Sequence, residues 1–207
     1  MIHSPGYPGV AFTTADEGDI RGNPAERAAV AGRLGISRQW AVSDQVHGRV
    51  VVRAEAPINH GEADALFTTR TGLPLAVFTA DCLGVALISE AAVGVAHAGW
   101  RGIVAGVVPA LLEAMTAAGV PPERAALGPG IGPCCYEVGG EVAAQLPEYV
   151  SETTWGTVSV DLPSAVRSHL GDIPVWEAGS CTRCSVGFHS HRTDGTSARM
   201  ATISWLT

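Results

Sequence analysis

Three residues combine side chains that do chemistry with positions that could expose them. His47 stands in DQVHG, after a strand-like run and before a glycine. Cys82 closes the run LAVFTADC with Asp81 beside it, and His97 ends VGVAHA, where Ala98 and Gly99 are too small to block access. Two imidazoles and one thiolate suit Zn²⁺ with a fourth position left for water or substrate. Each residue also has a plainer reading: a hydrogen-bonded histidine at a strand end, or a buried, inert cysteine. The intervals, 35 residues from His47 to Cys82 and 15 from Cys82 to His97, match no compact zinc-finger spacing, so spacing alone does not bring the three together. A second chemistry open to the same residues makes Cys82 a nucleophile and His97 its base, without a metal.

Other residues carry weaker signals. Cys181 and Cys184 form one CxxC, and a single such pair is slight evidence for zinc or redox work. Cys134 and Cys135 are adjacent and read as structural. GPGIGPCCYEVGG lacks both the lysine of a P-loop and the GxGxxG spacing of a dinucleotide fold, and reads as a turn that shapes a pocket wall. His3, His189 and His191 have no partner visible in sequence and read as surface residues.

The elements that must position these groups follow from composition and pattern. At 207 residues, 46% hydrophobic and 16% charged, the chain can bury a sizeable core as one domain over 1–207. All 13 basic residues are arginine, which excludes a Schiff-base lysine. The net charge of −7 opposes a nucleic-acid footprint. Apolar runs stop well short of the ~20 residues of a membrane span, and the N-terminal stretch has no signal-peptide pattern, so a cytoplasmic protein is expected. Asn23-Pro24 opens a helix over 24–34 that Gly35 can end. From Trp40 come several strand-like runs, WAVSDQV, RVVVRA, ADALFTT, LAVFTADC, GVALIS and VGVAHA, and the apolar stripe from Ile103 to Met115 predicts one amphipathic helix bent at Pro109. A short helix near 140–147, a strand near 157–161, a helix near 162–170 and a terminal strand in MATISWL complete a mixed α+β chain.

DQVHG, ADALFTTRTGLPLAVFTADC, VAHAGWRG, GPGIGPCCYEVGGEV and CTRCSVGFHSHRTDGTSAR together resemble, in order, the motifs of the laccase-domain (YfiH/YlmD) family, from Gln45 to Arg199. The resemblance implies a layered α/β/β/α fold and a metal held by His47, Cys82 and His97. It implies zinc-dependent purine nucleoside phosphorylase activity with adenosine deaminase activity, on adenosine, inosine or methylthioadenosine; copper-dependent phenol oxidation is the older description. On this reading a zinc-activated water attacks C6 of adenosine, and Asp81 holds or shuttles its proton. Arg101 and Arg192 clamp phosphate, with Arg101 at the start of a helix, and Gln45, two residues before His47 on one face of a strand, contacts the nucleoside. The tail reads FHSHRTD where the family has FFSYRRD, and the N-terminal forty residues are shortened, which changes the loops over the pocket.

Overall fold

The computed structural model describes residues 1–207 apart from the side chain of Asp194. Helix α1 (Pro24–Leu34) begins and ends where its flanking residues require. The Asn23 side chain accepts from the N–H groups of Ala25 and Glu26, and Gly35 stops the helix in the left-handed conformation at φ 67°.

The strands are β1 (Ile2–His3), β2 (Val10–Phe12), β3 (Val42–Asp44), β4 (Val51–Arg53), β5 (Asn59–Glu62), β6 (Ala65–Thr68), β7 (Leu75–Thr79), β8 (Leu83–Ile88) and β9 (Val93–Ala98). After them come the helices α2 (Trp100–Ala105) and α3 (Val107–Ala117), strand β10 (Arg124–Leu127) and helix α4 (Gly140–Ala143). Strands β11 (Val150–Glu152) and β12 (Val158–Val160), helix α5 (Leu162–Leu170), strand β13 (Val175–Glu177), helix α6 (His191–Asp194) and strand β14 (Met200–Ser204) complete the chain.

A six-stranded sheet runs β13-β10-β8-β9-β6-β4 and a four-stranded sheet runs β1-β2-β14-β7. The larger is antiparallel except where β10 pairs with β13 and β4 with β6; the smaller is antiparallel throughout.

Period-two alternation sorts these strands into layers. Leu75 and Val77 of β7 pack with Leu66, Val93 and Val95, and Phe12 packs with Ala86, Ile88 and Ala126, so these side chains fill the space between the sheets. The alternate residues Ala76 and Phe78 face Val30 and Ala31 of α1. On the far side, Val85, Leu87 and Ala96 meet Ile103, Leu111 and Val166 from α2, α3 and α5. The result is the layered α/β/β/α sandwich implied by the resemblance, a mixed α+β fold.

The stripe from Ile103 to Met115 is two helices, contrary to expectation. Gly106 adopts φ 85° and breaks the chain between α2 and α3. Pro109 causes no bend because it lies in the first turn of α3, where its missing N–H has no intrahelical partner to lose. The helix expected near 140–147 shrinks to α4 and a 3₁₀ turn at Pro147–Tyr149.

Candidate metal centre

The tight connection between β7 and β8 brings Cys82 to the end of β9. β8 and β9 pair with Leu83 opposite Ala98 and Gly84 opposite His97, so the residue before Leu83 lies beside Gly99. His97 shares the side of β9 occupied by Val93 and Val95. His47 arrives from the loop after β3, which ends at Asp44, so Gln45 and His47 are not two positions of one strand as expected. Nε or Nδ of the two histidines and Sγ of Cys82 all lie within 4.8 Å of one another. The two imidazoles meet edge to face with centroids 4.7 Å apart.

Two backbone positions make this convergence possible at a conformational cost. His47 has φ 62° and Asp81 φ 84°, the only non-glycine residues with positive φ among those described. Such conformations persist where the surroundings over-determine them. At His47 the constraint is Asp64. This fully buried carboxylate accepts N–H hydrogen bonds from Val46 (3.2 Å), His47 (2.9 Å) and Gly48 (2.6 Å), and its Oδ1 lies 2.8 Å from His97 Nδ1. One buried anion thus shapes the loop of one candidate ligand and orients the ring of another, leaving His97 Nε2 for a metal. Sequence reasoning missed Asp64. Its signal was a single acid at the edge of the apolar run ADALF, which has no spacing that marks it.

At Asp81 the constraint is the C-terminal segment. Oδ1 accepts from Thr182 Oγ1 and Oδ2 from the Arg192 backbone N–H, both at 2.7 Å. Asp81 is buried with both carboxylate oxygens engaged, so it ties down the segment beside Cys82.

The electrostatics follow the same contacts. Burial disfavours a charged Cys82, but hydrogen bonds with His47 and His97 and the charge of these rings bring its thiol down to about 6. Burial likewise disfavours a charged His97, yet bonds to Asp64 and Cys82 hold it up at about 9. Burial opposes ionisation of Asp64 too, and its hydrogen bonds with His97, Gly48 and His47 keep it below the usual carboxylate range.

The donor set fits a borderline-soft divalent ion. The backbone leaves room for it: a Cβ on Gly99 would stand 2.8 Å from Cys82 Sγ and 3.0 Å from His47 Cδ2. The three side chains open into a cavity of about 340 Å³ whose wall includes Arg21, Arg101, Arg199 and His191 and, among the described residues, no carboxylate. Gln45 also lines it, with its amide paired to the backbone of Phe78 at 2.8 Å in both directions. Arg101 stacks on Trp100 with its guanidinium carbon 4.4 Å from the ring centroid. Arg192 lies over Tyr136 and donates to Glu137 O, lining an adjoining cavity that Arg101 also borders. The glycines of GPGIG line a different cavity, against Leu83 and Ser164.

Comparison with known proteins agrees with this architecture. The chain is 41% identical over 198 residues to the purine nucleoside phosphorylase ORF3 of Streptomyces griseus, covering 88% of this chain and 80% of that one. It is 35% identical over 196 residues to the purine nucleoside phosphorylase YfiH of Escherichia coli, covering 87% and 79%. The crystal structure of YfiH from Bacillus licheniformis superposes with a TM-score of 0.81 at 26% identity, covering 89% and 80%. YlmD from Geobacillus stearothermophilus gives 0.78 at 27% identity, covering 100% and 89%. The model of the multi-copper polyphenol oxidoreductase laccase family matches residues 11–207, and the chain belongs to that family.

Proposed function

We propose that this protein is a zinc-dependent purine nucleoside phosphorylase that also deaminates adenosine. The observation that carries the reading is the cavity itself: a His47–Cys82–His97 donor set beside three arginines, with no carboxylate on the wall among the described residues, in a protein of net charge −7. Phosphorylases named among the relatives support the choice of substrates. Zinc is favoured over a multicopper relay because the described residues contain no second histidine-rich ligand cluster.

In phosphorolysis an oxygen of inorganic phosphate attacks C1′ of the ribose, the C1′–N9 bond breaks, and its electron pair leaves with the purine. The guanidinium of Arg101, exposed and without an ion-pair partner among the described residues, grips the phosphate as a two-pronged donor. Arg21 and Arg199 add positive potential. The departing purine needs a proton, and His191 places an imidazole on the wall outside the donor set. When bound, a divalent ion supplies Lewis-acid polarisation and makes a water nucleophilic near neutral pH, which serves deamination at C6.

Arg101→Ala should raise the phosphate concentration needed for base release from adenosine at least about tenfold, the loss of a charged hydrogen bond worth about 1.5 kcal/mol. Inosine formation, followed in the same samples, should fall much less. Equal loss of both activities, or base release indifferent to phosphate, would refute the assignment.

A second reading rests on one geometric fact: Cys82, His97 and Asp64 form a chain of contacts like that of a cysteine hydrolase. Full activity after exhaustive chelation would favour it over the zinc enzyme.

A further inference from the structure

The four cysteines outside the candidate active centre come together in space. Cys134 and Cys135 sit in the turn after Gly132, Cys181 and Cys184 in the stretch between β13 and α6, and all four Sγ atoms lie within 4.8 Å of one another. Cys134 Sγ and Cys184 Sγ are 3.8 Å apart. Sulfurs at about 2.3 Å from a tetrahedral zinc are separated by about 3.8 Å. An iron–sulfur cluster distributes its thiolates over several irons and spreads them wider than this.

Two further features suit a thiolate site. Cys181 Sγ receives the backbone N–H of Gly132 at 3.3 Å and also those of Arg183 and Cys184. Gly132 also keeps the centre open, since a Cβ there would stand 3.3 Å from Cys134 Sγ. Beside the cluster, Arg183 donates to Cys135 O at 3.1 Å, placing a cation next to a centre that would carry negative charge.

We propose that Cys134, Cys135, Cys181 and Cys184 hold a second divalent ion, zinc, in a closed four-thiolate site. Binding replaces four thiol protons, released to solvent, with four Zn–S bonds and changes no oxidation state. Its role is structural. The 178–190 stretch has no helix or strand and exposes Val186 almost completely, so apolar burial does little to hold it. Yet it carries Thr182, whose hydroxyl bonds to Asp81 next to Cys82. A metal tie between this stretch and the 132–135 turn fixes it at both of its cysteines.

Protein purified without oxygen and equilibrated with zinc should retain about two equivalents after desalting, and Cys82→Ala about one. Adding Cys181→Ser and Cys184→Ser to Cys82→Ala should remove the remaining ion. Should that variant not fold, cobalt(II) bound to folded Cys82→Ala is the deciding measurement: intense thiolate-to-cobalt bands of a tetrahedral four-sulfur site are expected. Cys82→Ala without metal, cobalt bands lacking thiolate character, or an intact mass showing that these sulfurs are paired as disulfides would overturn the proposal. A wild type with one equivalent that Cys82→Ala keeps would support the four-cysteine site and sink the His47–Cys82–His97 assignment instead.

Discussion

At the scale of single residues, the candidate centre is governed by groups that do not themselves offer a ligand. Asp64 holds the His47 loop and the His97 ring with one carboxylate, and Gly99 leaves the volume in which the donors converge. Gly99 has φ −80° and ψ 167°, an extended conformation open to any residue, so replacing it tests space alone. In Gly99→Ala the new methyl would crowd Cys82 and His47 and push two ligands off the common point. Zinc affinity, measured by competition with a chromophoric chelator, should fall at least about tenfold, as for the loss of an outer partner of a metal site. Melting of the chelated protein should be unchanged. Unaltered affinity would mean that the donors do not meet over Gly99.

At the scale of elements, legibility depended on whether the deciding interaction was local. The ends of α1 were readable because Asn23 and Gly35 act on their own neighbours, and α5 at Leu162–Leu170 likewise starts from a side-chain cap, Asp161 on Ser164. The break between α2 and α3 was hidden inside a continuous apolar stripe. Gly106 was one small residue in that stripe, and only the fold shows that the chain turns there. β5, Asn59–Glu62, was missed because NHGE is polar and is held by pairing with β3, a partner distant from any propensity argument. The candidate ligand triad was legible only through the resemblance, since strand pairing of β8 with β9, and the loop carried by Asp64, bring it together. The four-cysteine cluster was illegible because its halves are separated by about half a hundred residues that no local rule connects.

The Gly106 hinge makes a clean test. A Cβ there would meet nothing within 4 Å, so the cost of Gly106→Ala is the left-handed backbone itself, about 1–2 kcal/mol. Urea denaturation should show a lower midpoint at an unchanged slope, and Gly106→Asn should lose less. Equal stability of all three proteins would mean that α2 and α3 can join as one helix.

At the scale of the whole molecule, the sandwich has three apolar interfaces, one between the sheets and one under the helices on each side. The inter-sheet and helix-facing clusters are built mainly from buried aliphatic side chains with a few aromatic ones such as Phe12, Phe67 and Phe78, while the candidate centre occupies strand ends and loops. Among the described residues no helix is long and apolar enough to cross a membrane. Global stability should respond to acid through titratable groups that the layers partly bury. His169, in α5, is one: burial lowers its pKa below the ordinary value of about 6.5, and its Nδ1 has no hydrogen-bond partner among the described residues. The folded protein then binds this proton less readily than the unfolded chain does. Stability contributed by neutral His169 is complete above the unfolded value, declines as pH falls below about 6.5, and levels off once the folded-state value is passed. His169→Phe, close in shape and without a titratable nitrogen, removes this slope. Urea midpoints at pH 7.5 and 5.0 should converge more closely in the variant than in the wild type, with the variant the more stable of the two at pH 5.0. A wild type that loses no more stability than the variant over that interval would show that α5 accommodates the imidazolium as readily as the neutral ring.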